Sequence, residues 1–306
     1  MNNLTVSFAP HIRDRSTTGR IMLDVVIALV PALIASVVIF GARAALVTGV
    51  CVASCVLFEG VYQKALKKPI TVGDFSAVIT GLLLAFNLPV GIPLWQAVFG
   101  SAVAVILVKQ LFGGLGKNFA NPAITARVVM FLAFATPMTT WILPPDGVTG
   151  ATPLMLMKRG DLDALPEMWD MILGVRGGCL GETSALALAI GGVYLLFRRV
   201  ITWHAPVTYI ATVVLLTAIA GQQPMYHLFA GGLFLGAIFM ATDYPTTPQT
   251  GSGRIIFGIG CGVLTVLIRL YGSYPEGVSF SILLMNMVVP YINKATLTKP
   301  LGGVKK

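Results

Sequence analysis

The stretch IMLDVVIALVPALIASVVIFG, residues 21–41, decides the fold class, since a bilayer is crossed by helices of roughly 20 mainly apolar residues. It holds one ionisable side chain, Asp24, and follows a polar segment with three arginines. Inside hydrocarbon every backbone polar group must be satisfied within the segment, so an apolar run of this length predicts a transmembrane helix.

The whole chain has the composition of a membrane protein. Of its 306 residues, 56% are hydrophobic and 11% are charged, whereas about a quarter of the residues in soluble domains are charged. The net charge of +9 comes from scattered Lys and Arg residues, which argues against nucleic-acid binding. The start of the chain lacks the pattern of a cleavable signal peptide.

Ten segments are apolar enough to span, so we predict an all-α polytopic membrane protein of about ten transmembrane helices. The predicted spans are 21–41, 44–62, 74–88, 93–110, 122–142, 181–197, 203–220, 226–241, 254–271 and 276–293. The predicted organisation is a cytoplasmic segment 1–20, helices one to five in 21–142, an extracytoplasmic loop 143–180, helices six to ten in 181–293, and a cytoplasmic tail 294–306.

The basic residues predict the orientation. With the N-terminus inside, ten crossings place most of the 21 Lys and Arg residues at the cytoplasmic face, as membrane proteins prefer. Both termini are then cytoplasmic and the loop 143–180 lies outside. That loop separates two sets of five helices, and an odd number per half predicts two inverted repeats. The third segment of each half is short and ends in a Pro-containing turn, which is typical of a midplane site.

The chain lacks the motifs of several cofactors. Cys51, Cys55, Cys179 and Cys261 are not spaced for an iron–sulfur cluster and are interpreted as buried apolar side chains. The three histidines are isolated, so we predict no metal centre. Gly113-Gly114-Leu115-Gly116-Lys117 is neither a dinucleotide fingerprint nor a P-loop. We therefore expect no NAD site and no catalytic residues in this chain.

The long outer loop holds an unusual run of small residues around two threonines, Thr149-Gly150-Ala151-Thr152-Pro153. Small neighbours allow close approach, and Pro153 disfavours helix at Thr152, so we expect the Thr152 hydroxyl on an accessible turn. Backbone N–H groups nearby could bind phosphate oxygens, which suits attachment of a phosphate-bearing group. The alternative is an ordinary loop, where Gly, Thr and Pro also cluster.

A family resemblance favours the first interpretation. The string Asp146-Gly147-x-Thr149-Gly150-Ala151-Thr152 resembles the motif of the flavin transferase that joins FMN to a threonine through a phosphoester. Further stretches, in order along nearly the whole chain, resemble the RnfD component of the Rnf electron-transport complex, and less closely the homologous B component of the sodium-translocating NADH:quinone reductase. These stretches include Ser7-Phe8-Ala9-Pro10-His11, Gly116-Lys117-Asn118-Phe119-Ala120-Asn121-Pro122-Ala123, Gly181-Glu182-Thr183-Ser184 and Ala241-Thr242-Asp243-Tyr244-Pro245.

The resemblance implies that Thr152 carries covalent FMN, within a motif that includes Asp146, Thr149, Gly150 and Ala151. Thr149 is the fallback acceptor. The family's flavin transferase acts on the extracytoplasmic side, and the charge-derived topology independently places Thr152 there. A bacterial or archaeal plasma membrane is the implied location.

A second flavin is expected deeper in the chain, because one ring covers only part of a hydrocarbon layer of about 30 Å. Family members are thought to bind a non-covalent riboflavin, and we predict it near the polar turns at Asn121 and Asp243. The alternative interpretation is that these two residues cap helices.

Several ionisable or polar residues near segment ends have two interpretations. Glu182, Thr183 and Ser184 either cap the sixth helix with an acidic first turn or face the FMN. Asp24 and Glu59 either line an ion path or extend to the cytoplasmic surface. Arg127, inside the fifth segment, has no assigned partner.

The implied function is that of a membrane flavoprotein subunit in a redox-driven pump, which passes electrons between ferredoxin and NAD and moves Na⁺ or H⁺. The implied partners are the lipid bilayer, the transferase and the other Rnf subunits: the membrane-embedded iron–sulfur pair, the extracytoplasmic flavoprotein, the NADH-binding subunit and the ferredoxin-binding subunit. The alternatives are a solute channel or transporter with inverted repeats and no redox role, or a purely structural anchor.

Overall fold

The computed structural model describes residues 17–144, 147–182, 184–274 and 276–297. Its helices are α1 (Thr18–Phe40), α2 (Ala42–Ala65), α3 (Ser76–Phe86), α4 (Leu94–Ala102, continued as a π-helix over Val103–Gln110), α5 (Pro122–Ala133), α6 (Ala135–Thr139), α7 (Pro153–Arg159), α8 (Met168–Leu173), α9 (Ala185–Phe197), α10 (His204–Ile219), α11 (Pro224–Phe229), α12 (Leu233–Leu235, continued as a π-helix over Gly236–Met240), α13 (Gly251–Tyr271) and α14 (Val278–Thr296). Single 3₁₀ turns cover Val72–Asp74 and Leu162–Ala164.

The prediction of a helical membrane protein is confirmed. Four helices, α1, α2, α13 and α14, are long and apolar enough to cross a bilayer. Five shorter apolar helices are α3, α4 with its extension, α5, α9 and α10. Helix lies within each of the ten predicted segments, while the number of crossings and the inverted arrangement stay predictions.

Large apolar side chains cover the outside of the helices. Val38, Phe197 and Ile219 are 77%, 86% and 75% exposed. So many exposed apolar groups would drive aggregation in water, whereas lipid tails solvate them. The chain is therefore a multi-pass membrane protein.

Two predicted spans are not continuous helices. In 122–142, α5 ends at Ala133 and helix restarts at Ala135, because Pro137 cannot donate to the carbonyl of Ala133. In 226–241, Gly231 and Gly232 adopt φ of 64° and 67°, a left-handed conformation that separates α11 from α12.

The prediction of an all-α chain misses one small hairpin. Strand β1 (Trp141–Leu143) pairs antiparallel with β2 (Val148–Gly150), so that Trp141 lies opposite Gly150. The predicted fifth span therefore ends before Trp141. Thr152 follows the hairpin directly, two residues after the end of β2.

Close helix packing depends on glycines. In α13, Gly258 and Gly262 face α10, and a Cβ on Gly258 would lie 2.8 Å from the carbonyl oxygen of Ala205. In α9, a Cβ on Gly191 would collide with the carbonyl oxygen of Ala28 in α1. Small residues bring helix backbones together in the same way in many membrane proteins.

Gly191→Val should destabilise the protein, because the added side chain would force α1 and α9 apart. We expect a cost of about 1–3 kcal/mol, read as a lower thermal unfolding temperature in detergent. Gly49→Ala in α2 is the control, since its Cβ would meet nothing within 4 Å. Equal melting temperatures for the two variants would contradict this packing.

Candidate functional site

Thr152 is the N-cap of α7. Its backbone is extended, its hydroxyl oxygen accepts a hydrogen bond from the N–H of Met155 at 3.3 Å, and Pro153 occupies the first helical position. The residue is only 7% exposed. The expectation of an accessible turn was therefore wrong: the Pro153 that blocks helix at Thr152 also starts α7, which folds the threonine inward.

Two adjoining cavities meet at Thr152. The first is lined by Phe131, Trp141, Tyr274 and Phe280, with Arg127 and Ser279 at its polar end. Phe131 packs edge-to-face on Tyr274, with ring centroids 4.6 Å apart. The second cavity is lined by Arg176, Gly177, Gly178 and Glu182. Thr152 thus lies between an aromatic chamber and a polar one.

A buried ion cluster separates these chambers from the helix core. Arg127 of α5 donates to Glu182 Oε1 at 2.9 Å and also to Glu276, which precedes α14. The same guanidinium donates to the side-chain oxygen of Asn87 at 2.7 Å and to the hydroxyl of Ser279 at 3.1 Å. An arginine this deeply buried is stable only with such partners.

The ligand atoms of Cys179, Glu182 and Glu276 lie within 4.8 Å of one another, the spacing of a metal site. They converge on Arg127, however, whose terminal nitrogen lies 3.3 Å from the sulfur of Cys179. The cluster is therefore interpreted as an ion pair network rather than as a metal centre.

The segment before α9 forms the floor of the polar cavity. Backbone N–H groups of Leu180 and Gly181 donate to the carbonyls of Leu88 and Phe86, each at 3.0 Å, which fastens the segment to the end of α3. Arg176 donates to the backbone carbonyl of Glu182 at 2.9 Å. Burial lowers the pKa of Arg176 to about 10, Glu182 opposes this shift, and Arg269 acts in the same direction as burial.

A third cavity lies between the ends of the two interrupted segments. Its polar lining includes Asn118, Asn121, Thr242 and Asp243. The Asp243 carboxylate accepts from the Thr246 hydroxyl at 3.1 Å. Burial raises the pKa of Asp243 to about 6, although hydrogen bonds from Thr246 and Asn118 oppose the shift.

Asn121 also caps a helix, as one interpretation predicted. Its side-chain oxygen accepts from the N–H groups of Ala123 and Ile124 at 3.1 and 3.3 Å, while its amide lies 3.5 Å from the carbonyl of Met240. Capping leaves Asn121 in the wall of the third cavity, so the two interpretations are compatible.

The structure brings together part of the predicted FMN site. Thr152 and Glu182 line one cavity, and Gly150 pairs with Trp141 close by. Ala151, which lies between Gly150 and Thr152 in the sequence, is half-buried, whereas Thr149 is exposed on β2. Asp146 and Thr183 lie outside the described residues.

Two expectations near segment ends are corrected. Ser184 caps α9 by accepting from the N–H of Ala187 at 3.3 Å, so Glu182 precedes the helix instead of lying in an acidic first turn. Glu59 does not extend to the surface: it is 1% exposed and pairs with Lys109 at 2.9 Å. Asp24 pairs with Arg198 at 3.1 Å.

Most of the ion cluster is not predicted by the sequence. From the sequence, Arg127 has no identified partner, and Arg176 and Glu276 have no assigned role at the site. The available signal is their ionisable character near or inside apolar segments, where such groups are costly and usually paired. Their partners are distant in sequence, so spacing could not identify them.

Together the fold and the site define a multi-pass helical membrane protein in which a helix-capping threonine lies between an aromatic and a polar cavity. The family model described as "NQR2, RnfD, RnfE family" matches residues 5–302. The chain belongs to this family.

Its relatives carry descriptive names. The chain is 50% identical to the D component of the Na(+)-translocating ferredoxin:NAD(+) oxidoreductase complex of Acetobacterium woodii, over 99% of this chain and 96% of the relative. It is 43% identical to the proton-translocating counterpart of Clostridium ljungdahlii, over 96% and 95%. It is 39% identical to the D component of the ion-translocating oxidoreductase complex of Stutzerimonas stutzeri, over 94% and 93%.

Arg127→Met should destabilise the protein strongly, because it leaves two carboxylates beside an apolar core without their cation. We expect a loss of about 3 kcal/mol, the lower end for a broken buried pair, since the Glu276 side chain is 21% exposed. The readout is thermal unfolding in detergent.

The triple variant Arg127→Met, Glu182→Gln, Glu276→Gln removes all three charges and should regain most of the stability. If the triple variant melts as low as the single variant, the cluster is not held by charge pairing.

Proposed function

We propose that the chain is the RnfD component of an ion-translocating ferredoxin:NAD oxidoreductase complex and that it conducts electrons through flavins within the membrane. The observation that carries this proposal is Thr152 itself, a threonine set between an aromatic cavity and a polar one that contains Arg176. The names of relatives up to 50% identical over nearly the full chain support it.

Thr152 is the proposed attachment point of FMN, and the cavities fit that group. FMN combines a flat apolar ring with an anionic phosphate. Of the two chambers that meet at Thr152, one offers aromatic walls and the other offers the guanidinium group of Arg176. A bound flavin supplies one- and two-electron transfer.

Attachment is a phosphoryl transfer catalysed by the proposed partner, an extracytoplasmic flavin transferase. The Thr152 oxygen bonds to the phosphorus of a flavin phosphate that is joined to a nucleoside monophosphate by a phosphoanhydride bond. The anhydride bond breaks, the nucleoside monophosphate leaves and the hydroxyl proton is released. Because Thr152 is buried in the folded chain, we infer that the transferase acts before α7 packs or when the segment opens.

Residues of the chain define the environment of this flavin. Tyr274 and Phe131 form aromatic walls of the ring site. Glu182, held by Arg127, places a carboxylate beside the polar cavity. Taken alone, a negative charge there disfavours further negative charge on a nearby ring and lowers its reduction potential, and the paired Arg127 opposes this effect.

A non-covalent riboflavin is proposed in the third cavity. The walls of the cavity combine apolar side chains with Asn118, Asn121 and Asp243. Amides and a carboxylate suit the ribityl hydroxyls and the ring edge, while the apolar walls suit the ring faces. Two flavins at different depths would divide the electron path across the membrane.

The proposed topology has ten crossings in two inverted halves, with both termini cytoplasmic and Thr152 outside. Corresponding helices pack across the halves: α1 on α9 and α5 on α14. In the third segment of each half a helix begins directly after a left-handed residue, α3 after Phe75 at φ 63° and α12 after Gly232 at φ 67°. These matched helix starts support the inverted repeat.

The other proposed partners are the Rnf subunits that bind ferredoxin and NADH, the membrane-embedded iron–sulfur pair and the extracytoplasmic flavoprotein. We propose that this chain does not itself bind NAD, in keeping with its lack of a dinucleotide motif. The coupled ion is Na⁺ or H⁺, since the relatives include translocases of both.

The covalent flavin is tested by fluorescence of the denatured chain. Protein expressed with its transferase should fluoresce under ultraviolet light after denaturing electrophoresis, and Thr152→Ala should lose the signal completely because the acceptor oxygen is gone. Thr149→Ala, on the exposed strand, is the matched control and should keep it. An unaltered signal in Thr152→Ala would reject the site, and a native chain with no flavin would favour a simple transporter or anchor.

The proposed riboflavin site is tested by measuring the flavin that can be extracted from the protein. Asp243→Leu should reduce the flavin released by acid from the folded protein severalfold, because it removes a half-buried acceptor from the cavity wall. Asn121→Ser keeps a helix-capping residue and should reduce release without a large loss of stability. Thr149→Ala is again the control; equal extractable flavin in all variants would exclude this cavity.

A further inference from the structure

In the wall of the polar cavity, some buried donors have no acceptor among the residues that the structure describes. Arg176 is 5% exposed, and its Nε has no hydrogen-bond partner among the described residues. The backbone N–H groups of Gly177 and Gly178, both buried, likewise donate to no group in the part of the chain that the structure describes. Buried donors are almost always paired, so three of them on the wall of one cavity point to an anionic or otherwise accepting ligand.

The charges around the cavity are unequal. Three guanidinium groups, those of Arg127, Arg176 and Arg269, interact electrostatically with two carboxylates, Glu182 and Glu276. Both carboxylates bind Arg127 directly. Arg269 donates instead to the carbonyls of His227 and Ala230, at 2.6 and 2.9 Å.

Arg176 likewise has no carboxylate within ion-pair distance in the described residues, since its one short oxygen contact is the backbone carbonyl of Glu182. The cluster of described residues therefore carries one buried positive charge in excess. Such a charge is expensive unless an anion is placed beside it.

We propose that Arg176 and the N–H groups of Gly177 and Gly178 bind the phosphate of the group attached to Thr152. The inference rests on the proposed function and specifies its anion subsite. A phosphodiester carries one negative charge, which matches the excess, and a guanidinium is the side chain best suited to bind phosphate oxygens.

The backbone at this subsite permits the approach. A Cβ on Gly178 would meet nothing within 4 Å, so the peptide is open on that side. Two successive glycines let the backbone N–H groups come close to phosphate oxygens, as in many phosphate-binding loops. Thr152 lines the same cavity, which brings the acceptor oxygen and the donors to one place.

The competing explanation is structural: Arg176 would only tie its segment to the Glu182 carbonyl. The two explanations predict different effects when the positive charge of Arg176 is removed. Gln can donate a hydrogen bond to that carbonyl but brings no positive charge, whereas Lys keeps the charge. Arg159, exposed at the end of α7, provides a matched arginine outside the cavity.

The test measures the initial rate of covalent flavin incorporation with limiting transferase, by fluorescence of the denatured chain, together with the melting temperature of each variant. Arg176→Gln and Arg176→Met should incorporate flavin roughly tenfold more slowly than the native chain, as expected for loss of a charge-assisted hydrogen bond. Arg176→Lys should be intermediate, and Arg159→Gln should match the native chain.

Incorporation rates of folded variants that decrease from the native chain to Arg176→Lys and then to Arg176→Gln support the phosphate subsite. A folded Arg176→Gln that incorporates flavin at the native rate overturns it, as does a folded Arg176→Lys no faster than Arg176→Gln. Both of those results require flavin on Thr152 of the native chain, so they leave the proposed function intact. Absence of covalent flavin from the native chain overturns the proposed function instead.

Discussion

The ion pairs and hydrogen bonds of the buried Arg127 guanidinium are the interactions on which the region around Thr152 depends. The guanidinium joins α5 to the segment before α9 through Glu182, to the start of α14 through Glu276 and to the end of α3 through Asn87. These elements come from both halves of the chain and converge beside Thr152. A charge in an apolar setting is stable only when its partners are fixed, so the cluster also fixes the geometry of the adjacent cavities.

A second ion cluster lies at the start of α3. Lys109 donates to Glu59 at 2.9 Å and to the Ser76 hydroxyl at 2.7 Å, and Asp74 accepts from the N–H of Ser76 at 2.8 Å. At the start of α12, the Glu182 carboxylate lies close to Gly232. Helices α3 and α12 therefore each begin at a buried polar cluster, because a helix end away from water needs partners for its N–H groups.

Much of the fold was predictable from the sequence, since apolar runs such as 21–41 report directly on burial in lipid. The interruptions were harder to place: Pro137 and the pair Gly231–Gly232 shorten helices in ways that hydropathy does not register. Thr152 was identified by its motif, but its burial depends on how α7 packs. Arg176 could not be singled out from the sequence, because what distinguishes it is that no carboxylate pairs with it among the described residues.

The central claim is that a flavin phosphate is esterified to Thr152, and peptide mass spectrometry tests it most directly. Cleavage after Arg127 and Lys158 yields one peptide that contains both Thr149 and Thr152. The account predicts that this peptide gains the mass of FMN less one water and that fragment ions place the gain on Thr152. An unmodified peptide from chain made with an active transferase, or a gain located on Thr149, would contradict it.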